Sequence, residues 1–223
     1  MSGEPRLLLL DKLDSCAVSD ALDRLGLVGA VTGIQRLSTD RRIAGRVITV
    51  KLDRAEGRSS TRHLCTGAIE AAQSGDIIVI EQRTGLDAAS WGGNLSIGAK
   101  VRGVAGVIVD GPARDIDDSR QLDFPVFARS ATARTARGRI VEVAMNVPIT
   151  VGDVTVSPGD YVVADGSGVV FVAASELSKV WEVAYSIFLR EAGIAEAIRD
   201  GTPIGQVMGA NYEQMLKKKT DGN

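Results

Sequence analysis

The sequence has few of the residues that build disulfide-rich or histidine-rich sites. Its only cysteines, Cys16 and Cys65, are too few and too far apart for a disulfide framework or a CxxC pair. The single histidine, His63, excludes the HExxH motif and any metal site with two histidines. A metal ion would therefore be bound by oxygen ligands, which Mg²⁺ and Mn²⁺ prefer.

The chain also lacks an excess of one charge and a long apolar run. Its 26 Lys and Arg residues against 28 Asp and Glu residues give a net charge of −2, so the phosphate attraction of a nucleic-acid-binding protein is not expected. No apolar stretch approaches the roughly 20 residues that span a bilayer, and Leu7–Leu10 is shorter than a signal-peptide core. We expect one cytoplasmic domain over residues 1–223, with its core at about 15–201 and a flexible tail at 217–223.

Hydrophobic periodicity predicts an α/β domain. In its centre, strands are predicted at 45–52, 76–81, 106–110 and 125–129, with helices at 60–73, 92–102 and 115–122 between them. This β-α-β order favours parallel strands with right-handed crossovers. Short strands broken by Gly and Pro turns over 141–172 predict an antiparallel section. Further helices are predicted at 15–25, with Ser15 as the N-cap, and at 175–200.

Polar residues follow two successive strands of the predicted parallel centre. Gly92 and Gly93 open a helix, so backbone N–H groups of Asn94, Leu95 and Ser96 are expected to face an anion above it. The segment lacks the Lys-Ser/Thr ending of a nucleotide-binding P-loop, and no GxGxxG motif follows either early strand. The sequence therefore predicts an anion site that is not a nucleotide site.

The second polar loop contains Arg114 and Asp115. Arginine offers a planar fork to a carboxylate, and aspartate offers an oxygen ligand to a divalent ion. Because loops at the carboxyl ends of neighbouring parallel strands share one edge of a sheet, both loops are expected to face one site for a carboxylate-bearing substrate. Spacing alone leaves open a plain alternative, in which these residues form a turn, a helix cap and a surface charge.

A series of short segments resembles the RraA-like family over nearly the whole chain, from Ser19 to Gly201. The segments are Ser19–Gly26 (SDALDRLG), Gly45-Arg46, Gly75-Asp76, Trp91-Gly-Gly93, Arg102–Gly111 (RGVAGVIVDG), Arg114-Asp115, Phe124–Ala128 (FPVFA), Asn146-Val-Pro148 and Pro158-Gly-Asp160. The family contains divalent-metal aldolases for 4-hydroxy-4-methyl-2-oxoglutarate and 4-carboxy-4-hydroxy-2-oxoadipate, which also decarboxylate oxaloacetate. It also contains the noncatalytic regulator of ribonuclease activity A. The resemblance implies a compact domain of the swivelling β/β/α type.

The resemblance also implies roles for individual residues. Arg114 would bind the pyruvoyl part of a 2-oxo acid, and Asp115 would be the one direct protein ligand of Mg²⁺ or Mn²⁺. Backbone amides of the segment from Gly93 to Ser96, with Asn94 and Leu95 between them, would bind the substrate carboxylate. Glu191 would be a catalytic acidic residue contributed across a subunit interface, since family members are trimers or dimers of trimers.

Asn94 departs from the family pattern, in which an acidic residue commonly follows the two glycines. An amide can hydrogen-bond a water molecule but cannot accept its proton. The substrate cradle and the metal site are compatible with this change, whereas efficient base catalysis of the aldol cleavage is not assured.

The expected reaction breaks the C3–C4 bond of a 4-hydroxy-2-oxo acid, or removes a carboxylate from oxaloacetate, and releases pyruvate. The general base stays open between Asp110, Asp87, Glu191 and a hydroxide ligand of the ion. Lys100 is a rival Schiff-base nucleophile, although a helical lysine is more often solvated. We expect His63, placed on the predicted 60–73 helix without an acidic neighbour, to be structural.

The remaining alternatives concern charge and function class. Arg134, Arg137 and Arg139 form a basic cluster that is either solvated surface or a site for a distal carboxylate or phosphate. A noncatalytic protein-binding regulator is the main alternative to an enzyme. Methyl transfer is a third possibility, which failure to bind S-adenosylmethionine would exclude.

Overall fold

The computed structural model describes residues 12–60 and 62–209, in which strands and helices alternate. The strands are β1 (Ala30–Val31), β2 (Gln35–Arg36), β3 (Ile43–Arg54), β4 (Ile77–Glu81), β5 (Gly106–Ala113), β6 (Val126–Ala131), β7 (Ile140–Met145), β8 (Ile149–Val151), β9 (Val154–Val156), β10 (Tyr161–Ala164) and β11 (Val169–Val172). The helices are α1 (Ser15–Leu25), α2 (Thr66–Ala71), α3 (Gly93–Val101), α4 (Ile116–Gln121), α5 (Leu177–Arg199) and α6 (Ile204–Val207). The predicted tail at 217–223 lies outside the described residues.

Strand β3 joins the parallel and antiparallel parts of one curled sheet. Residues 43–46 pair antiparallel with β10, and residues 47–51 pair in parallel with β4. The last residues of β3 pair antiparallel with β7, with a register shift between Lys51 and Leu52. The strand order along the sheet is β1-β11-β10-β3-β4-β5-β6-β2, and β8 and β9 form a separate hairpin. The predicted α/β architecture with a parallel centre and an antiparallel section is confirmed.

Strands β3, β4, β5 and β6 form the parallel centre, connected through α2, α3 and α4. All five residues of β4 are buried, which explains its uninterrupted apolar run. One apolar cluster fills the space between these strands and the three helices, and a second fills the curled interior beside β8 and β9. A third packs α1 and α5 against β10 and β11. Among the described residues no helix is long and apolar enough to cross a membrane.

The start of α1 corrects one local prediction. Asp14, not Ser15, is the N-cap, since its Oδ1 accepts the Ala17 N–H at 2.7 Å. Ser15 instead donates its N–H and its hydroxyl to Asp165, at 2.8 and 2.7 Å. Burial alone would raise the pKa of Asp165, but these bonds, a third from the Ser167 N–H and the nearby Arg42 hold it below the ordinary value of 3.8. Asp165 thereby ties α1 to the turn between β10 and β11.

The helix predicted over 60–73 is shorter in the structure, where α2 begins at Thr66. Cys65, just before it, has φ of 65°, in the left-handed region. The Cys65 N–H donates to Glu142 Oε2 on β7 at 2.6 Å, so the chain before α2 follows β7 as a loop. His63 therefore lies in a loop, and its predicted place on a helix is wrong.

Candidate active site

A cavity of about 310 Å³ lies beyond the carboxyl ends of the parallel strands. Loops that follow β3, β4, β5 and β6 all contribute to its wall. The residues that line it are His63, Leu64, Thr66, Ala89–Leu95, Arg114, Asp115 and Thr135–Arg137. The two polar loops singled out in the sequence therefore meet at one place.

Backbone hydrogen bonds hold these two loops together. The Ser90 N–H donates to Pro112 O, and the Arg114 N–H donates to Trp91 O, both at 2.9 Å. Trp91 is buried and stacks on Phe124, with ring centroids 6.2 Å apart. This buried anchor fixes the position of Arg114 relative to the start of α3.

Asp115 is turned toward α3 by its backbone conformation. Its φ of 54° is left-handed, which aspartate tolerates better than most residues. Although Asp115 stands at the N-cap position of α4, its side chain does not cap that helix. Its Oδ2 accepts the Gly93 N–H at 2.9 Å and lies 3.3 Å from Arg114 Nε.

Gly92 and Gly93 allow the close approach of the two loops. A Cβ added at Gly92 would lie 2.8 Å from Asp115 Oδ2 and 3.3 Å from Arg114 Nε. A Cβ at Gly93 would lie 2.9 Å from Asp118 Oδ2. Side chains at either position would displace the functional groups of the second loop, so glycine is required here by contact rather than by backbone angle.

The first turn of α3 offers two free amides rather than three. Asn94 and Leu95 have no backbone acceptor for their N–H groups within the described part of the chain. The Ser96 N–H donates to Gly92 O at 3.1 Å, as the first regular bond of the helix. The Ser96 hydroxyl is fully buried and accepts from Trp91 Nε1 at 2.9 Å. These bonds argue against the predicted substrate contact from Ser96, because both of its polar groups are used inside the fold.

The donor set at Asp115 fits a hard divalent ion with one protein ligand. Asp115 is 37% exposed and Arg114 is 40% exposed, so both side chains are open to a substrate. In residues 12–60 and 62–209, no group of three or more His, Cys, Asp or Glu side chains is placed to hold a metal. An ion at Asp115 would need substrate and water oxygens to complete its coordination, as Mg²⁺ commonly does.

The other acids and the lysine considered from sequence lie away from the cavity lining. Asp110 accepts from Arg129 Nε at 2.7 Å and from the Gly152 N–H at 2.8 Å, so both of its oxygens are occupied. Asp87 pairs with Arg134 Nε at 3.4 Å. Lys100 donates to Leu122 O at the far end of α3. The placements of Asp110 and Asp87 argue against their predicted role as general base.

Glu191 does not line the cavity of this chain. It lies on α5 beside Asp20 of α1, whose pKa is raised by burial and by the charges of Asp23, Glu191 and Asp14. The Oε1 atom of Glu191 is shielded from solvent and lacks a hydrogen-bond partner within residues 12–60 and 62–209. A role in catalysis would require a second copy of the chain, so it stays a prediction.

The three arginines of the basic cluster lie in different environments, some on the surface and one at the cavity. Arg134 pairs with Asp87, and Arg139 donates to Thr135 O at 3.2 Å. Arg137 lines the cavity and also an adjoining cavity of about 420 Å³. The two cavities share His63 and Arg114 in their lining as well, so they form one continuous groove.

Sequence reasoning missed two residues at the site. His63 is exposed and lines both cavities. Asp118, three residues after Asp115, approaches the backbone of Gly93. The i, i+3 spacing of the two aspartates on the predicted helix could have indicated Asp118, because it places them on one face.

Comparison with known proteins identifies the family of this chain. The model of the RraA-like family, described as Aldolase/RraA, matches residues 15–171. The chain belongs to the RraA-like family. The expectation drawn from the short segments of the sequence is thus confirmed.

Two relatives match most of this chain. A protein of Halalkalibacterium halodurans named "Putative 4-hydroxy-4-methyl-2-oxoglutarate aldolase" is 32% identical over 176 residues, covering 77% of this chain and 78% of that protein. Protein DlpA of Legionella pneumophila is 29% identical over 201 residues, which cover 89% of this chain and 33% of DlpA. The chain thus spans about a third of the length of DlpA.

Solved structures share the fold. An uncharacterized protein from Pseudomonas syringae matches with a TM-score of 0.84 and 30% identity, over 93% of this chain and 98% of that one. Streptomyces coelicolor RraAS2, described as an unusual member of the RNase ES inhibitor RraA protein family, matches with a TM-score of 0.76 and 25% identity, over 86% of this chain and 96% of that one. The RraA-like fold therefore holds for this chain.

The Gly92→Ala variant tests the geometry of the site independently of the stability of the fold. The new Cβ would push Asp115 Oδ2 and Arg114 Nε away, and misplacement by about 1 Å is expected to lower kcat/KM of a reaction catalysed at this site about 100-fold. Gly98→Ala in the same helix is the matched control. Its Cβ would lie 3.8 Å from Ile69, an ordinary contact distance, and the substitution also replaces a helical glycine by alanine. Steady-state kinetics and thermal unfolding of both variants test this. Equal activity of Gly92→Ala and wild type would contradict the close-approach account.

Proposed function

We propose that the chain is a divalent-metal-dependent carbon–carbon lyase that releases pyruvate from a 2-oxo acid. The substrate class is a 4-hydroxy-2-oxo dicarboxylic or tricarboxylic acid, or oxaloacetate. The observation that carries the proposal is the convergence of Arg114, Asp115 and the Asn94 and Leu95 amides on one cavity. The family membership and the aldolase name of the Halalkalibacterium relative support it.

The chain's own residues would bind and orient the oxo acid. The Asn94 and Leu95 N–H groups would donate to the substrate carboxylate at the positive end of α3. Arg114 would donate to the keto oxygen, where negative charge develops as the enolate of pyruvate forms. A Mg²⁺ or Mn²⁺ ion held by Asp115 would supply Lewis-acid stabilisation of the same charge.

The proposal also assigns roles to Arg137 in the groove and to a neighbouring subunit. Arg137 would contact a distal anionic group of the substrate, because it lines both the first cavity and the adjoining one. A homotrimer or a dimer of trimers would bring Glu191 of another copy to the cavity. Glu191 is partly exposed on α5, so its side chain is accessible to a neighbouring copy of the chain.

A noncatalytic protein-binding regulator is the second candidate. Asn94, in the position where aldolases of the family commonly have an acid, favours it, as does the likeness to RraAS2. The exposed Arg114–Asp115 pair next to free amides favours the enzyme, because an interaction surface has no need of a metal ligand beside an anion clamp.

A coupled assay for pyruvate distinguishes the two. Oxaloacetate and 4-hydroxy-4-methyl-2-oxoglutarate would each be supplied with Mg²⁺, with Mn²⁺ or with EDTA. The proposal predicts pyruvate release that depends on the ion and is lost in EDTA. The absence of release from both substrates with both ions would favour the regulator.

A further inference from the structure

The proposed aldol cleavage needs a group that removes the proton of the C4 hydroxyl, and the cavity lining offers few. Asn94 cannot accept a proton, and the guanidinium groups of Arg114 and Arg137 are hydrogen-bond donors without an acceptor atom. Asp115 is engaged by the Gly93 N–H and by Arg114, and its charge is needed for the ion. Within the described part of the chain, His63 is the remaining lining residue whose side chain has a nitrogen lone pair that can take a proton.

The hydrogen bond of His63 fixes the form of its ring. Nδ1 lies 3.0 Å from Leu64 O, and a carbonyl oxygen can only accept. Nδ1 therefore carries the hydrogen, and in the neutral imidazole Nε2 is left with its lone pair. This is the tautomer in which a histidine that lines a substrate cavity can take a proton through Nε2.

The loop that carries His63 is anchored on both sides. The Thr66 hydroxyl donates to His63 O at 2.8 Å, which joins His63 to the first turn of α2. The Cys65 N–H donates to Glu142 Oε2, which joins the loop to β7. The buried Cys65 Sγ lies 3.8 Å from Ser90 O, next to Trp91. These contacts anchor the backbone on both sides of His63, in a loop that lines the same cavity as the start of α3.

We infer that His63 is the general base of the aldol cleavage, in place of the acid that Asn94 replaces. The inference rests on the proposed function. Nε2 takes the proton of the C4 hydroxyl, the C4–O bond becomes a carbonyl, and the C3–C4 electron pair passes into the enolate of pyruvate. The enolate then gains a proton at C3 from solvent, and Nε2 returns its proton to solvent, so pyruvate and the second carbonyl product leave and the base is regenerated.

Comparison of the two proposed reactions tests this role. Decarboxylation of oxaloacetate releases carbon dioxide without removing a hydroxyl proton, so it does not need this base. The His63→Gln variant is expected to lose about 10²- to 10⁴-fold in kcat for cleavage of 4-hydroxy-4-methyl-2-oxoglutarate. Its oxaloacetate decarboxylation should stay within about threefold of wild type, since binding and charge stabilisation are unchanged. Added imidazole should restore part of the cleavage activity of His63→Ala.

The outcomes separate this inference from the proposed function. Equal losses in both reactions, or unchanged cleavage in His63→Gln, would overturn the role of His63 while leaving a pyruvate-releasing enzyme. Failure of imidazole to restore cleavage in His63→Ala would also count against it. If wild type released pyruvate from neither substrate, the proposed function and the inference would both be wrong.

Discussion

Replacing Arg114 by alanine is expected to lower kcat/KM for pyruvate release by about 10²- to 10³-fold, the typical cost of removing one donor to a developing oxyanion. In the proposed reaction Arg114 would donate to the keto oxygen, whose negative charge would grow as the enolate forms. The loss should appear in both kcat and KM, because the guanidinium contacts the substrate before and during the reaction. Steady-state kinetics with oxaloacetate and saturating Mn²⁺ measure it.

The fold should tolerate this change. The Arg114 side chain is 40% exposed, so the free energy of unfolding is expected to change by less than about 1 kcal/mol. Arg120→Ala is the matched control, because Arg120 lies on the adjacent helix α4 and pairs with Asp117. Turnover by Arg114→Ala at the rate of the Arg120→Ala control would refute the proposed site.

Replacing Asp115 by asparagine is expected to weaken Mn²⁺ binding by at least about 100-fold, the upper end of what the loss of an outer-shell partner costs. Asparagine also tolerates the left-handed φ of 54°, and its amide oxygen can still accept the Gly93 N–H. The substitution therefore removes the negative charge while preserving the backbone and its contact with α3. Titration of Mn²⁺ followed by electron paramagnetic resonance measures the affinity without any turnover.

Asp117→Asn serves as the control for Asp115→Asn. Asp117 lies in the first turn of α4, carries the same charge, and is 86% exposed beside Arg120. Its replacement should leave Mn²⁺ affinity unchanged, since it does not line the first cavity. Equal weakening by both substitutions would show that Mn²⁺ responds to the general acidity of α4 and not to one ligand.

The parallel centre could be predicted because its signals are local. The apolar run of β4 and the glycine pair before α3 identify their elements within a few residues. The rule that ligands bind at the carboxyl ends of parallel strands then brings Arg114 and Asp115 to the Asn94 amide. The structure places these groups at one cavity.

Residues whose environment depends on distant contacts could not be predicted. The loop before α2 is set by the bond from the Cys65 N–H to Glu142, 77 residues away, which no local pattern reveals. That bond places His63 in a loop at the cavity. Asp110 is a candidate base from the sequence, but β5 continues to Ala113 and Arg129 binds its carboxylate.

Ser96 is a different case, since the use of its N–H within the helix could have been worked out from the helix start. With Gly92 as N-cap, Ser96 is the residue whose N–H makes the first i to i−4 bond. Its hydroxyl contact with Trp91 Nε1 is a matter of packing that the sequence does not show.

The central claim is that Arg114, Asp115 and two amides of α3 hold a 2-oxo acid against a divalent ion. The most direct measurement is a crystal structure with Mn²⁺ and pyruvate, in which anomalous scattering locates the ion. The account predicts Mn²⁺ bound to an oxygen of Asp115, with the pyruvate carboxylate on the Asn94 and Leu95 N–H groups and Arg114 on the keto oxygen. Mn²⁺ and pyruvate bound elsewhere on the chain would contradict it.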